Sequence, residues 1–233
     1  MNAAPDPPWW TPRKTATARR SLTREAIVGA ALTLLRTGGI DAVSMRRVAA
    51  ELDTGAASLY AHVAHKDELL ELVFDAVAGE IPVPEPDPDR WQEQILELWT
   101  ASHAVLVRNR DLARVALGRV PVGPNSMRVA ESTVAILRAG GVPEQAVAWA
   151  VDVVGLYVSA SAIEGSINAE QQAGGRDTSA YYADVGRYFE ALPADGFPVM
   201  AALAPFLMTG DGDERFRFGL QLLVNGLAAL TGD

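Results

Sequence analysis

Apolar residues recur at helical spacing along most of the chain, and no segment alternates convincingly with a period of two. The first helical pattern puts four apolar residues on one face: Ile27, Ala31, Leu34 and Leu35. Thr23 is a favourable N-cap for this helix, and the pair Gly38-Gly39 is a typical helix end. The pattern along the chain therefore predicts an all-α fold.

Two shorter helices follow, joined by a tight turn. Ser44 is expected to cap the first of them, whose inward face would carry Met45, Val48 and Leu52. The turn falls at Asp53-Thr54, and Thr54 is expected to cap the second helix, over residues 55–62. Two helices joined in this way can lay the second one in the major groove of DNA. This unit predicts an N-terminal three-helix, helix-turn-helix DNA-binding domain.

A proline-rich segment, IPVPEPDP at residues 81–88, interrupts the helical pattern after a further helix that begins near residue 66. Beyond it, the pattern predicts helices at residues 89–108, 110–119, 125–139, 143–172, 178–191, 197–208 and 213–230. We therefore expect three parts: a flexible basic arm over residues 1–20, the helix-turn-helix domain over 21–66 and a larger helical domain over 67–233.

Charge is distributed unevenly along the 233 residues. The formal net charge is −9, yet residues 1–66 sum to +4 and the remainder to −13. A basic N-terminal part can approach phosphates while an acidic remainder stays away from them. The basic residues of the arm are consistent either with a DNA-contacting arm or with a disordered leader.

Other features of the composition narrow the class of protein. The chain has no cysteine, which excludes disulfides and thiolate chemistry. The first residues lack the pattern of a secretory signal, so a cytoplasmic protein is expected. Residues 146–163 are almost wholly apolar, but Asp152 lies among them, and a carboxylate is costly in lipid. We do not expect a membrane span.

The long helix at 143–172 and the last helix at 213–230 are apolar on more than one face. Such helices must be buried on more than one side. Both are expected to pair with their symmetry mates in a homodimer. The alternative is that the rest of the same chain wraps around them.

Three segments, SLTREAIVGAALTLL, SMRRVAAEL and LYAHVAHKDELL, resemble the N-terminal domain of tetracycline-repressor-type transcriptional regulators. The resemblance implies an all-helical homodimer on a palindromic operator, with a small molecule in the larger domain lowering the affinity for double-stranded DNA. Two departures stand out. Asp53 occupies a turn position where the family usually has glycine, and larger residues are common where Ala56, Ala57 and Ala61 stand.

The resemblance also implies a set of DNA-contacting residues: Ser44, Arg46, Ala56, Ala57, Ser58, Tyr60, Ala61, His62 and Lys66. The second helix of the motif carries no Arg, Lys, Asn or Gln, the residues that read bases most strongly. We therefore hypothesise that Arg46 makes the main polar base contact and that the other polar residues mostly hold phosphates. Alternatively, Tyr60 packs between helices and His62 caps or packs locally.

The larger domain offers candidate ligand-binding residues: Trp99, His103, Met127, Trp149, Asp152 and Tyr157. The composition of the larger domain favours a hydrophobic or aromatic ligand. Three positions are open for Asp152: the pocket, the dimer seam, or an ion pair with one of Arg108, Arg114 and Arg128. His103 is the only histidine beyond the DNA-binding part, so neither a metal site nor a cofactor is expected.

Two other functions compete with a ligand-released repressor. One is a regulator without a small ligand, which a protein partner controls or which acts as an activator. The other is a helical enzyme, but the sequence has no Ser-His-Asp or Cys-His arrangement, phosphate loop or zinc motif. We therefore do not expect an enzyme.

Overall fold

The computed structural model describes residues 7, 9–10, 22–109, 111–117, 120 and 122–232, which form eleven α-helices and one 3₁₀ turn. The helices are α1 (Arg24–Gly38), α2 (Met45–Glu51), α3 (Ala56–Leu59), α4 (Lys66–Ala78), α5 (Trp91–Arg108), α6 (Ala113–Leu117), α7 (Pro124–Ala139), α8 (Glu144–Ala173), α9 (Thr178–Glu190), α10 (Pro198–Leu207) and α11 (Gly212–Ala228). The 3₁₀ turn, Ile40–Ala42, connects α1 to α2. The described residues therefore confirm the all-α fold.

Helices α1, α2 and α3 form an N-terminal head around a small apolar core. Its fully buried side chains include Ile27, Leu35, Val48, Leu59 and Val63. The predicted caps are present: Thr23 Oγ1 accepts from Ala26 N at 3.1 Å, and Ser44 Oγ accepts from Arg47 N at 3.2 Å. Each cap satisfies a backbone donor that the helix itself leaves unpaired.

Helix α4 joins this head to the rest of the chain, because it packs against both α1 and α7. His65 begins it, with Nδ1 accepting from Glu68 N at 3.1 Å. The carboxylate of Glu68 accepts in turn from Ala64 N at 2.7 Å. Arg24 of α1 places its Nη2 atom 4.0 Å from Oε1 of the same carboxylate, where both side chains are buried. The start of α4 is thus fixed to α1.

The larger part of the chain is a bundle in which α8 packs on α5, α6, α7 and α11. The proline-rich connector is tied to it: Gln94 Nε2 donates to Glu85 O at 2.8 Å, and Arg128 Nη2 donates to Ile81 O at 2.8 Å. Helices α9 and α10 pack mainly on each other and bury few side chains. Helix α8 is the one described helix long and apolar enough to cross a membrane, but its contacts are those of a bundle helix.

Most predicted helix ends agree with the structure within two residues, but the second helix of the motif differs. It spans only Ala56–Leu59 instead of residues 55–62. The expected cap from Thr54 is wrong, since the N-cap is Gly55 and no side chain caps this helix. The chain continues past Leu59 in turns, with His62 N and Val63 N both bonded to Leu59 O. Leu59 and Val63 are both buried as predicted, and their burial does not require α3 to continue beyond Leu59.

Candidate nucleic-acid interface and ligand-binding region

The turn between α2 and α3 depends on the backbone conformation of Asp53. Its φ is 49°, in the left-handed region that favours glycine. A short polar side chain tolerates this region better than a branched one. Thr54 N then bonds to Ala49 O at 2.9 Å, which closes the turn onto α2. Asp53 therefore fills the position that usually carries glycine in the family it resembles, and it keeps the turn.

The predicted DNA contacts lie on or directly beside α2 and α3, apart from Lys66, which begins α4. Arg46, Ala57, Ser58 and Tyr60 are exposed, while the half-buried ones are Ala56, Ala61, His62, Ser44 and Lys66. Tyr60 is 52% exposed, so its ring is not held between helices. Arg47 is also exposed, beside Arg46 on α2. The surface offers two guanidiniums next to small side chains, a chemistry suited to phosphates and base edges.

Two of these residues also have structural roles. The hydroxyl oxygen of Ser44 accepts the capping hydrogen bond of α2, and its own hydrogen is available to an outside acceptor. Lys66 Nζ donates to Ile40 O at 3.3 Å, which ties the start of α4 to the 3₁₀ turn. An ammonium group has three donors, so this bond leaves Lys66 able to contact a phosphate. Their DNA contacts stay predictions.

The predicted ligand-binding residues divide into two groups, and the first meets at Phe216 of α11. The ring of His103 stacks on that of Phe216 with centroids 3.7 Å apart, and Tyr157 stacks on its ring at 5.5 Å. His103 Nε2 lies 3.1 Å from Ser161 Oγ, and the Tyr157 hydroxyl donates to Phe216 O at 3.0 Å. This cluster joins α5, α8 and α11.

Burial sets the protonation chemistry of the cluster. It lowers the pKa of His103 below its ordinary value, and the negative charge of Asp213 opposes this only in part. Burial also raises the pKa of Tyr157, in the same direction as the charge of Glu164. The native cluster is therefore uncharged at neutral pH, and it can present stacking surfaces and neutral hydrogen-bonding groups to a ligand.

The second group does not join this cluster on one surface. Trp99 is buried within α5, whereas Met127 is 40% exposed on α7. Trp149 is 66% exposed on α8, and Asp152 is exposed on the same helix. The ion-pair alternative for Asp152 is wrong, because its three candidate arginines bond elsewhere: Arg108 to Glu80, Arg114 to Asp111 and Arg128 to backbone carbonyls.

Sequence reasoning missed several residues that organise these regions. Phe216 is one apolar position among many in α11, and nothing local distinguishes it. His65 could have been predicted as the N-cap of α4, because it directly precedes the acidic first turn of that helix. Glu80 lies between Arg36 of α1 and Arg108 of α5, a contact with no local signal. Among the described residues, no cluster of three His, Cys, Asp or Glu side chains could hold a metal ion.

The exposed α2–α3 surface on a separate head, joined to a larger helical bundle, defines a helix-turn-helix regulator, and comparison with known proteins agrees. The family model "Bacterial regulatory proteins, tetR family" matches residues 27–73, and "Tetracyclin repressor-like, C-terminal domain" matches residues 83–231. The chain therefore belongs to the TetR family. It is a DNA-binding transcriptional regulator, and its relatives are named as regulators and repressors, which leaves the enzyme alternative unsupported.

Full-length relatives support the same conclusion. An HTH-type transcriptional regulator of Saccharopolyspora erythraea is 34% identical over 229 residues, covering 98% of this chain and 94% of that protein. The HTH-type transcriptional repressor DrrR1 of Streptomyces coeruleorubidus is 32% identical over 227 residues, covering 96% and 84%. The structure of ActR from Streptomyces coelicolor in complex with actinorhodin is 43% identical with a TM-score of 0.82, covering 91% of this chain and 99% of that one.

Proposed function

We propose that the protein is a cytoplasmic, homodimeric repressor that binds a palindromic operator and leaves it when a small, largely apolar ligand binds. The observation that carries the proposal is the arrangement of two exposed surfaces. One is the α2–α3 surface with Arg46 and Tyr60; the other is an apolar face of α8 and α11. A symmetric pair of heads would match the two-fold symmetry of a palindrome.

The apolar face of α8 and α11 supports a dimer. Its exposed side chains are Trp149, Val153 and Leu156 on α8, with Phe218 and Leu222 on α11. Their spacing of three and four residues puts each set on one side of its helix. Several large apolar side chains exposed on one side of a helix indicate an interaction surface. A second copy of the same face is the simplest cover, because closed two-fold pairing is the commonest oligomeric arrangement.

The cluster of His103, Tyr157 and Phe216 supports an aromatic effector. Its rings are already stacked, and its polar atoms are neutral, so a flat molecule could extend the stack. ActR, the solved structure described above, contains actinorhodin. We propose a flat aromatic compound as the effector of this chain, and Trp99 and Met127 stay predicted contacts outside the cluster.

Selection of bound sequences from random duplex DNA tests the function most directly. The purified chain should enrich an inverted repeat, with half-sites separated by about one helical turn or a multiple of it. Binding should weaken steeply as salt rises, because phosphate contacts release counterions. Enrichment of an asymmetric sequence, or no enrichment at all, would overturn the proposal.

A second experiment tests the dimer. Leu156→Glu and Leu222→Glu each place a charge on the proposed face and should shift the protein to a monomer in sedimentation analysis, with loss of operator binding. Val107→Glu is the matched control, since Val107 is an exposed apolar residue of α5 outside that face. The dimer face is wrong if all three variants sediment like the wild type.

A further inference from the structure

A turn near the N-terminus is held against α4 by two tryptophans. The indole N–H groups of Trp9 and Trp10 both donate to Oε2 of Glu71, at 3.4 and 3.2 Å. Trp10 is only 8% exposed, and Cζ of Arg24 lies 5.9 Å from the centroid of its ring, within the range of a cation–π contact. Trp10 N also bonds to Pro7 O at 3.0 Å, which closes the turn. Trp10 is thus fixed between α1 and α4, so the prediction of a flexible arm over residues 1–20 is wrong at Trp9 and Trp10; the basic residues of that arm lie outside the described residues.

These two indoles form part of the lining of a cavity of about 330 Å³. Helix α4 contributes Phe74 and Asp75, α6 contributes Val115 and Ala116, and α7 contributes Ser126. A volume of this size lies at the lower end of the range for small-molecule pockets. The cavity lies beside the helix that connects the DNA-binding head to the bundle.

The polar groups of the cavity are already engaged. Asp75 accepts four hydrogen bonds: from the backbone N–H and the side chain of Asn125, and from the backbone N–H and the hydroxyl of Ser126. Glu71 accepts from both indoles. The remaining lining is aromatic and aliphatic. Two carboxylates disfavour an anion, and aromatic rings favour a flat apolar guest.

We propose that this cavity is a binding site for an uncharged, flat aromatic molecule of about two or three rings, in contact with Trp10 and Phe74. It is separate from the cluster of His103, Tyr157 and Phe216, none of which lines it. The N-terminal tryptophans are therefore part of a ligand site and not only an anchor for the segment that precedes α1. Binding here does not depend on the proposed operator or effector.

The fluorescence of N-phenyl-1-naphthylamine, an uncharged probe that brightens in apolar surroundings, tests the site on the full chain. Wild type should bind the probe saturably. Trp10→Ala removes one wall, and Ala116→Trp fills the cavity from α6. Each should weaken binding at least about tenfold, the scale expected for losing a buried aromatic contact. Circular dichroism shows whether each variant keeps its helices.

Tyr188→Ala is the matched control, because Tyr188 is an exposed aromatic residue of α9 that does not line the cavity. It should bind the probe like the wild type. No saturable binding by the wild type, or wild-type affinity in both cavity variants, would overturn the proposal. Because Trp10→Ala lies outside every helix, it tests the site even if Ala116→Trp fails to fold. Operator binding, measured on the same proteins by gel shift, reports separately on the proposed function.

Discussion

The guanidinium of Arg108, on α5, donates to the carboxylate of Glu80 at 2.6 Å. The other oxygen of the same carboxylate accepts from Arg36 of α1 at 2.9 Å. Arg36 also donates to the buried Asn109 at 2.7 Å. Glu80 therefore bridges the DNA-binding head and the bundle just where α4 ends. Motion of one part relative to the other would have to break these hydrogen bonds, or the three side chains would have to move so as to keep them.

Glu80→Gln should weaken this bridge by an amount that depends on salt. The pKa of Glu80 is lowered, chiefly by its hydrogen bond from Arg108 and against the effect of burial, so the ionised form is the one the fold stabilises. Since the pair is partly exposed, we expect a loss of about 1 kcal/mol in unfolding free energy at low salt and less at 1 M salt. Stability from the carboxylate should also disappear as the pH falls through its lowered pKa.

Glu93→Gln is the control, because Glu93, exposed in the first turn of α5, pairs at 2.9 Å with Arg90, the N-cap residue of the same helix, and joins no separate elements. It should change the unfolding free energy little at either salt concentration. Urea unfolding of both variants at low and high salt makes the comparison. Equal losses for Glu80→Gln at both concentrations would show that the bridge is not electrostatic.

Arg46→Ala and Arg47→Ala separate base reading from phosphate attraction at the proposed interface. The two residues are neighbours, both exposed on α2, and carry the same charge. Loss of a guanine contact should remove about 1–3 kcal/mol of discrimination at one operator position. We expect Arg46→Ala to relax the preferred sequence and Arg47→Ala to weaken all sequences alike. The random-duplex selection, repeated with each variant, measures this difference. If both variants kept the sequence preference of the wild type, the assignment of base reading to Arg46 would be refuted.

His103 should make the stability of the protein depend on pH near neutrality. Burial lowers the pKa of the folded imidazole below its ordinary 6.5, so the unfolded chain takes up a proton more readily than the native one. Stability contributed by neutral His103 is present above about 6.5 and falls as the pH drops towards the lowered pKa, by at most about 1.4 kcal/mol per pH unit.

His103→Gln removes the titrating imidazole and puts in its place a side-chain amide that can still reach Ser161. Urea unfolding between pH 7.5 and pH 5.5 should therefore show a shallower loss of stability in the variant than in the wild type. The difference between the two slopes isolates His103 from every other titrating group. Parallel curves would mean that His103 is protonated equally in the folded and unfolded chains.

Gly219→Ala tests the contact between α8 and α11. A Cβ at Gly219 would overlap the phenol ring of Tyr157, whose hydroxyl bonds to Phe216 O. Because Tyr157 is held by that bond and by stacking, the overlap should cost about 1–3 kcal/mol of unfolding free energy.

Gly29→Ala is the matched control: nothing lies within 4 Å of its added Cβ in α1. It should stabilise the protein by about 0.5–1 kcal/mol, as alanine does within a helix. Thermal unfolding that ranks the two variants the other way round would refute the packing described for Gly219.

The order and bounds of the helices were largely predictable, because the determinants are local. A cap such as Thr23 acts on a backbone donor three residues away, and the apolar period of α1 is visible within the helix itself. Asp53 is a similar case, since its tolerance for a positive φ depends on its own side chain. The short α3 was not predictable, because its end depends on how Leu59 and Val63 are buried by the neighbouring helices.

The sequence by itself determined the helical class, the DNA-binding motif and the uneven charge, because each rests on residue types and their spacing. Only the tertiary structure brought His103 beside Phe216, Glu80 between two arginines and Trp10 onto α4. These residues are far apart in the chain, and their contacts depend on how whole helices pack. A local pattern states which face of a helix is apolar, but it does not state which other helix covers that face.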